Sequence, residues 1–346
     1  MGSTIASQSL AIDRFCRQYL QLELELDYPA EGLLCHEAFQ EALYERLFAR
    51  DAVALPPPHR YRLRVLKQLV AKIEAAIVDW DEHGISDNLM AVLAHLVSMP
   101  LPSEETAVQQ KCYVTYRPSL VESGSAESEA NITLLESRSL ISAAGTTGLR
   151  TWEASLHLGQ YLCAHPSLTR GRRILELGTG TGYIAMLCAR YLGAQHVLAS
   201  DGSEDVVNNL PDSLFLNGLQ GSNKVTPTEL KWGHALVGSE EKEWNGGQRV
   251  DVVLGADLTY DASGIPALVA TLEELVSLFP GVEIVIAATE RNTATLQGFL
   301  TTCGKRGFAV NHEPFPVPPR SEQNGPFYND KMLVHICKLY HIGMKR

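Results

Sequence analysis

Several features are scarce or missing in this 346-residue sequence, and each absence removes a class of function. The seven cysteines, at 16, 35, 112, 163, 188, 303 and 337, never form C-x-x-C, so no zinc ribbon or thioredoxin-type centre is expected. Their odd number and wide spacing fit a reducing compartment better than a disulfide scaffold. Basic residues are in deficit: 29 Lys+Arg stand against 40 Asp+Glu, a formal net charge of -11. So acidic a chain is not built as a general binder of nucleic-acid backbone. No run of about 18 uncharged apolar residues occurs, so no membrane span is expected. The first residues lack a basic start followed by an apolar stretch. No secretory leader is therefore expected, and the expected location is cytoplasmic. No H-E-x-x-H, G-x-S-x-G or Gly-Lys-Ser/Thr segment is present. The histidines, including His157, His234 and His312, show no ligand spacing, and no metal is expected.

What remains is a globular composition, 45% hydrophobic and 20% charged, in a chain long enough for one large domain or two ordinary ones. The first hundred residues read as helices. Ile12, Phe15, Cys16, Tyr19 and Leu22 recur at three- and four-residue spacing, as do Phe39, Leu43 and Leu47. Leu66, Leu69, Val70, Ile73, Ile77 and Trp80 predict one long apolar stripe, and Asp87 is the expected N-cap of a last helix. Arg60, Arg62, Arg64 and Lys67 form a basic cluster, either the wet face of an amphipathic helix or a docking patch for an acidic partner or RNA. The expected organisation is a helical N-terminal domain over 1–105, a polar linker over 106–130 with a short strand at Cys112–Tyr116, and an α/β domain over 131–346. From 172 onward strands alternate with helices, which predicts a parallel sheet covered on both faces. The last two strands, near 308–312 and 332–338, have no helix between them and are expected to pair antiparallel.

The sharpest local signal is Glu176-Leu177-Gly178-Thr179-Gly180-Thr181-Gly182-Tyr183, which follows a strand and opens a helix. A dinucleotide fingerprint needs glycine at 183, where Tyr183 stands. The spacing is G-x-G-x-G preceded by an acid, with no basic residue in the loop to meet a polyphosphate. Asp201 ends the next strand, roughly 20 residues on, where an acid can accept both hydroxyls of a ribose.

With Gly-Ala-Asp257-Leu-Thr-Tyr260-Asp, these segments resemble the seven-β-strand S-adenosylmethionine-dependent methyltransferases. LISAAGTTGLRTWEAS, LKWGHA and ATERN resemble the family-16 protein methyltransferases, closest to the subgroup that methylates lysine in elongation factor 2. The resemblance implies a Rossmann-like seven-stranded methyltransferase sheet, mostly parallel with the last strand antiparallel, beside a small helical N-terminal domain. It implies S-adenosylmethionine as cofactor. Its site would take in Trp152 near the methionine end, Glu176, Gly178, Thr179, Gly180 and Gly182 in the loop, and Asp201 on the ribose. Trp232 would flank the adenine and Ala256 would line the pocket. Asp257 and Tyr260 match the family's Asp-x-x-Tyr motif beside the target lysine. Glu290 and Arg291 read most simply as a surface ion pair. The expected partner is a protein substrate, elongation factor 2, with no nucleic acid and no membrane, and a monomer would suffice. A small-molecule methyltransferase, and an interaction protein that binds the cofactor without turnover, remain as alternatives.

The chemistry suits this residue set. A sulfonium-bound methyl group is already activated, so alignment and exclusion of water are what the protein must supply. A free lysine, with a pKa of about 10.4, must lose its proton first. A desolvated channel favours that loss and Asp257 opposes it. Asp257 is therefore expected to capture and orient the amine, with the proton leaving to water.

Overall fold

The computed structural model describes residues 2–103, 110–121, 130–138, 147–236, 245, 247–329 and 331–342. The chain divides into two compact units. The first holds Met1–Arg117 with Ser137–Ser139 and Asn324–Pro326, and the second holds Pro118–Glu136, Leu140–Gln323 and Phe327–Arg346.

The first unit is helical: α1 (Gly2–Leu20), α2 (Glu31–Leu34), α3 (Glu37–Leu47), α4 (His59–Ala76) and α5 (Asp87–Ser98), followed by the strand β1 (Cys112–Tyr116). Phe15, Tyr19, Leu43, Leu66, Leu69 and Ile73 meet in its core at near-zero exposure. The stripe on α4 ends sooner than expected. The helix stops at Ala76, Ile77 is still buried, and Trp80 stands 57% exposed. The cap of α5 lies one residue earlier than expected, because the Ser86 hydroxyl accepts from the Leu89 N–H at 3.2 Å. The basic cluster is only partly a wet face. Arg64 turns back to donate to the Leu24 carbonyl at 3.1 Å and lies over the Tyr61 ring, and Arg62 is half-buried beside Tyr19. Arg60 and Lys67 remain exposed.

The second unit begins with β2 (Ile132–Glu136) and α6 (Glu153–Ala164). It continues through β3 (Arg173–Leu177), α7 (Tyr183–Arg190), β4 (His196–Asp201), α8 (Glu204–Leu216), β5 (Val225–Glu229) and β6 (Val252–Ala256). It closes with α9 (Ile265–Leu278), β7 (Glu283–Thr289), α10 (Thr293–Lys305), β8 (Phe308–Glu313) and β9 (Val334–His341). Seven strands form one sheet in the order β5-β4-β3-β6-β7-β9-β8. The first five of these run parallel, and β9 runs antiparallel to both β7 and β8. The expected mixed sheet is present, and its last strand is inserted between β7 and β8 rather than added at the edge.

One strand was not legible. β5 reads Val-Thr-Pro-Thr-Glu, and proline cannot donate to a ladder. It is tolerated because β5 is the edge strand, with β4 as its one neighbour. The central strands have no such freedom: Val252, Val253 and Leu254 on β6 and Val285 and Ile286 on β7 are fully buried, as strands covered on both faces must be. Helix α9 closes one face with Ile265, Leu268, Val269, Leu272, Leu275 and Val276, spaced three and four apart. The chain turns one way from β3 through β4 to β5 and the other way from β6 to β7. The β3/β6 border is therefore the switch point, where the carboxyl ends of parallel strands leave a crevice.

Candidate active site

A cavity of about 680 Å³ opens at that crevice. Its wall takes residues from the ends of β3, β4 and β6, from the segment before α6, and from the loops after β5 and β7. Of the residues expected at the site, Trp152, Gly178, Thr179, Gly180 and Asp201 line it, and so do Trp232, Ala256, Asp257 and Tyr260. Glu176 and Gly182 do not. Glu176 is buried beneath the loop, where its carboxyl accepts from the Thr179 hydroxyl at 2.7 Å. Gly182 faces α8, and a side chain there would meet Leu210 at 2.9 Å.

The loop leaves β3 with Gly178 at φ +61° and Gly180 at φ +53°, values that few L side chains adopt. A Cβ on Gly178 would also stand 2.6 Å from Leu258, which is tucked beneath the loop from the end of β6. At Gly180 the backbone passes close to another backbone, with the Gly148 carbonyl 3.3 Å from where a Cβ would sit. The Gly180 N–H donates to Asp201 at 3.2 Å, and the Ser203 N–H donates to its other oxygen at 3.0 Å. Asp201 is thus fixed at the rim with lone pairs to spare. Burial pushes its carboxyl above the ordinary value, and the N–H groups of Ser203, Gly180 and Gly202 oppose that shift. Behind the wall, Thr151 donates to Glu136 at 2.7 Å and meets the Thr181 hydroxyl at 2.6 Å. These contacts tie the segment before α6 to the glycine loop.

Asp257 begins the loop after β6 in a left-handed conformation, φ +59°, uncommon outside glycine but tolerated by aspartate. Its N–H donates to the Ala287 carbonyl on β7 at 2.8 Å. Its carboxylate, 8% exposed, pairs with Arg291 at 2.6 Å. The surface pair expected between Glu290 and Arg291 is not what forms. Glu290 meets His335 at 2.7 Å and accepts from Thr293, while Arg291 turns to Asp257. The physical reason is alternation: successive residues leaving β7 point to opposite sides. The Arg291 guanidinium also lies 5.0 Å from the Trp152 ring centre, and that of Arg150 lies 4.4 Å from it. The Trp152 indole N–H donates to the Thr147 carbonyl at 2.9 Å, so the ring is held in place.

Arg150, Arg291 and Ser155 line the cavity without having been singled out as site residues. Arg150 sat in a quoted motif, but nothing in its spacing gave it a task. Trp232 is at the wall, on a turn after β5. Residues 140–146, the first part of the LISAAGTTG motif, lie outside the described residues. His157 is fully buried against Phe315 and Phe327, while His234 and His312 are exposed.

The family model described as lysine methyltransferase matches residues 135–305. Protein-lysine N-methyltransferase EFM3 of Chaetomium thermophilum is 63% identical over 97% of this chain and 99% of its own length. The chain belongs to the lysine methyltransferase family. Protein-lysine N-methyltransferase EEF2KMT of Homo sapiens is 28% identical, covering 92% of this methyltransferase and 93% of the human protein. Protein-lysine N-methyltransferase EFM3 of Saccharomyces cerevisiae is 29% identical over 52% of this methyltransferase and 56% of its own length.

S-adenosylmethionine is the cofactor of this methyltransferase. The cavity fits it on its own terms. The glycine loop offers backbone without side chains, an acid stands at the rim for vicinal hydroxyls, and two indole rings offer flat apolar faces. At the Trp152 end, Arg150 and Arg291 both approach Glu153, at 3.7 and 3.6 Å.

Proposed function

We propose that this enzyme methylates a lysine of elongation factor 2 and that the nine wall residues named above form its cofactor and acceptor site. Asp201 takes the ribose hydroxyls and Trp232 the adenine. Trp152 borders the methionine end, where Arg150 meets the carboxylate. Asp257 and Tyr260 receive the target lysine. When bound, S-adenosylmethionine supplies a methyl group already activated by its sulfonium. Everything else falls to the chain.

The observation that carries the acceptor assignment is the 2.6 Å pair between Asp257 and Arg291. A lone buried carboxylate would hold a lysine in its charged form, which cannot accept a methyl group. Here the carboxylate is already neutralised by Arg291. It can still accept a hydrogen bond from the amine and aim its lone pair, without locking the proton on. The neighbouring guanidinium and the loss of water both lower the amine pKa. Tyr260, 58% exposed at the mouth, walls the approach and offers a π face to the incoming ammonium. The proton leaves to water first, so that the amine nitrogen has a free lone pair when the methyl carbon passes from sulfur to nitrogen.

The substrate reading rests on the subgroup that the sequence resembles. It is supported by the extent of the match to EEF2KMT, 92% of this chain, which reaches well beyond the 135–305 segment into the helical unit. We assign that unit, residues 1–105, to docking of the protein substrate, through the exposed Arg60 and Lys67 on α4.

The test uses labelled S-adenosylmethionine, the purified enzyme, and extract from cells lacking it. One labelled band of elongation-factor size, modified on lysine, is expected. Asp257→Asn should cut the rate by about 10²-fold or more while cofactor binding is kept. Asparagine is the right replacement because it tolerates the left-handed backbone that alanine would strain. A different labelled band would discard the substrate, and undiminished labelling by Asp257→Asn would discard the role of Asp257.

A further inference from the structure

Among the described residues, one group of metal-ligating side chains comes together, and it lies in the helical unit. The Sγ of Cys35 and ring nitrogens of His36 and His83 all lie within 4.8 Å of one another. We propose that Cys35, His36 and His83 form a binding site for a borderline-soft divalent transition-metal ion, Zn²⁺ in the first instance.

The local backbone explains how consecutive residues can serve one ion. Cys35 closes α2 in a helical conformation, φ -69° and ψ -19°, and His36 opens α3 in an extended one, φ -83° and ψ 123°. This break between two helices lets neighbouring side chains converge, which an unbroken helix forbids. His83 arrives from the loop between α4 and α5, its ring edge-on to that of His36 with centroids 5.3 Å apart.

The two segments are also fixed against each other. Gln40, fully buried, donates to the Leu34 carbonyl at 2.9 Å and to the Gly84 carbonyl at 3.0 Å. Its amide oxygen accepts from the Ser86 N–H at 2.8 Å. One side chain thus pins the residue before Cys35 and the residue after His83. Such support beneath a ligand set is what holds a metal site to its geometry.

The ligand chemistry sets the class of ion. Thiolate and imidazole suit Zn²⁺ and its neighbours and suit Mg²⁺ or Ca²⁺ poorly. Three protein ligands leave one tetrahedral position for water. His36 is exposed and Cys35 and His83 half-buried, so that position is open to solvent. Bound there, the ion would staple the α2–α3 junction to the α4–α5 loop and so stabilise the helical unit. Sequence spacing cannot reveal the site, because two ligands are adjacent and the third lies two helices away.

The test uses the full chain, freed of metal by a chelator, and Zn²⁺ alone. Titration calorimetry should show one tight equivalent and a rise in melting temperature. Cys35→Ser and His83→Ala should each weaken binding more than about tenfold, while Cys163→Ser leaves it unchanged. Co²⁺ bound to the wild-type chain should show a thiolate charge-transfer band, which answers the question even if a variant fails to fold. Wild-type protein that binds no stoichiometric Zn²⁺, Co²⁺ without a thiolate band, or unaltered affinity in Cys35→Ser and His83→Ala would each overturn the site.

Discussion

A carboxyl group sealed beneath a loop has no water to stabilise its charge, and Glu176 is such a group. Burial pushes it from an ordinary 4.5 up to about 8, against the Thr179 hydroxyl and Ala185 N–H bonds that favour its ionised form. The folded state therefore keeps a proton that the unfolded state releases. The stabilisation is complete below about pH 4.5 and is lost as pH rises through about 8, at up to about 1.4 kcal/mol per pH unit. Glu176→Gln, neutral throughout, should lack this decline. Melting curves from pH 5 to 9 should show the wild type falling behind the variant, and parallel curves would remove Glu176 as the responsible group. The loop glycines and Asp201 stood out in the sequence by their position after a strand, and Asp257 and Tyr260 by the family motif they resemble. Partner choice was not legible. Arg291 meets Asp257 because β7 lies beside β6, with Ala287 opposite Ala256, and register of that kind cannot be read along one chain.

Helices and strands were legible in proportion to how fully their burial is imposed on them. Helix α9 (Ile265–Leu278) carries its apolar residues at three- and four-residue spacing, because six of its side chains must all reach one face of the sheet. Leu272→Ala removes one of these at 0% exposure and should cost about 2–5 kcal/mol, measurable by denaturant unfolding of the second unit. A loss under 1 kcal/mol would mean that the face is packed less tightly than it looks. Elements that neighbours constrain less were misjudged. Edge strand β5, with its internal proline, was not read as a strand, and Trp80 was placed on a stripe whose helix stops at Ala76. The N-cap of α5 fell to Ser86 rather than Asp87, since one residue's slip costs nothing that apolar periodicity can register.

At the scale of the whole molecule, a chain of net charge -11 presents exposed cations sparingly, and Arg60 and Lys67 are two of them on α4. If they dock an acidic protein surface, Arg60→Glu with Lys67→Glu should raise KM for the protein substrate several-fold, more so at low salt, and leave cofactor affinity unchanged. Unchanged KM would remove docking from this helix. The division into a helical part and an α/β part was anticipated by the change from three-and-four spacing to alternating strands and helices. The basic cluster was legible as a candidate docking patch, but a docking surface has no periodicity of its own to separate it from a wet helix face. The cavity has a consequence of another kind. Of the four tryptophans in the chain, Trp152 and Trp232 both line it. If the adenine lies against Trp232 as proposed, it should drain the indole's excited state, and the unlabelled protein would carry its own optical gauge of occupancy, readable in a cuvette from the dimming of its ultraviolet emission.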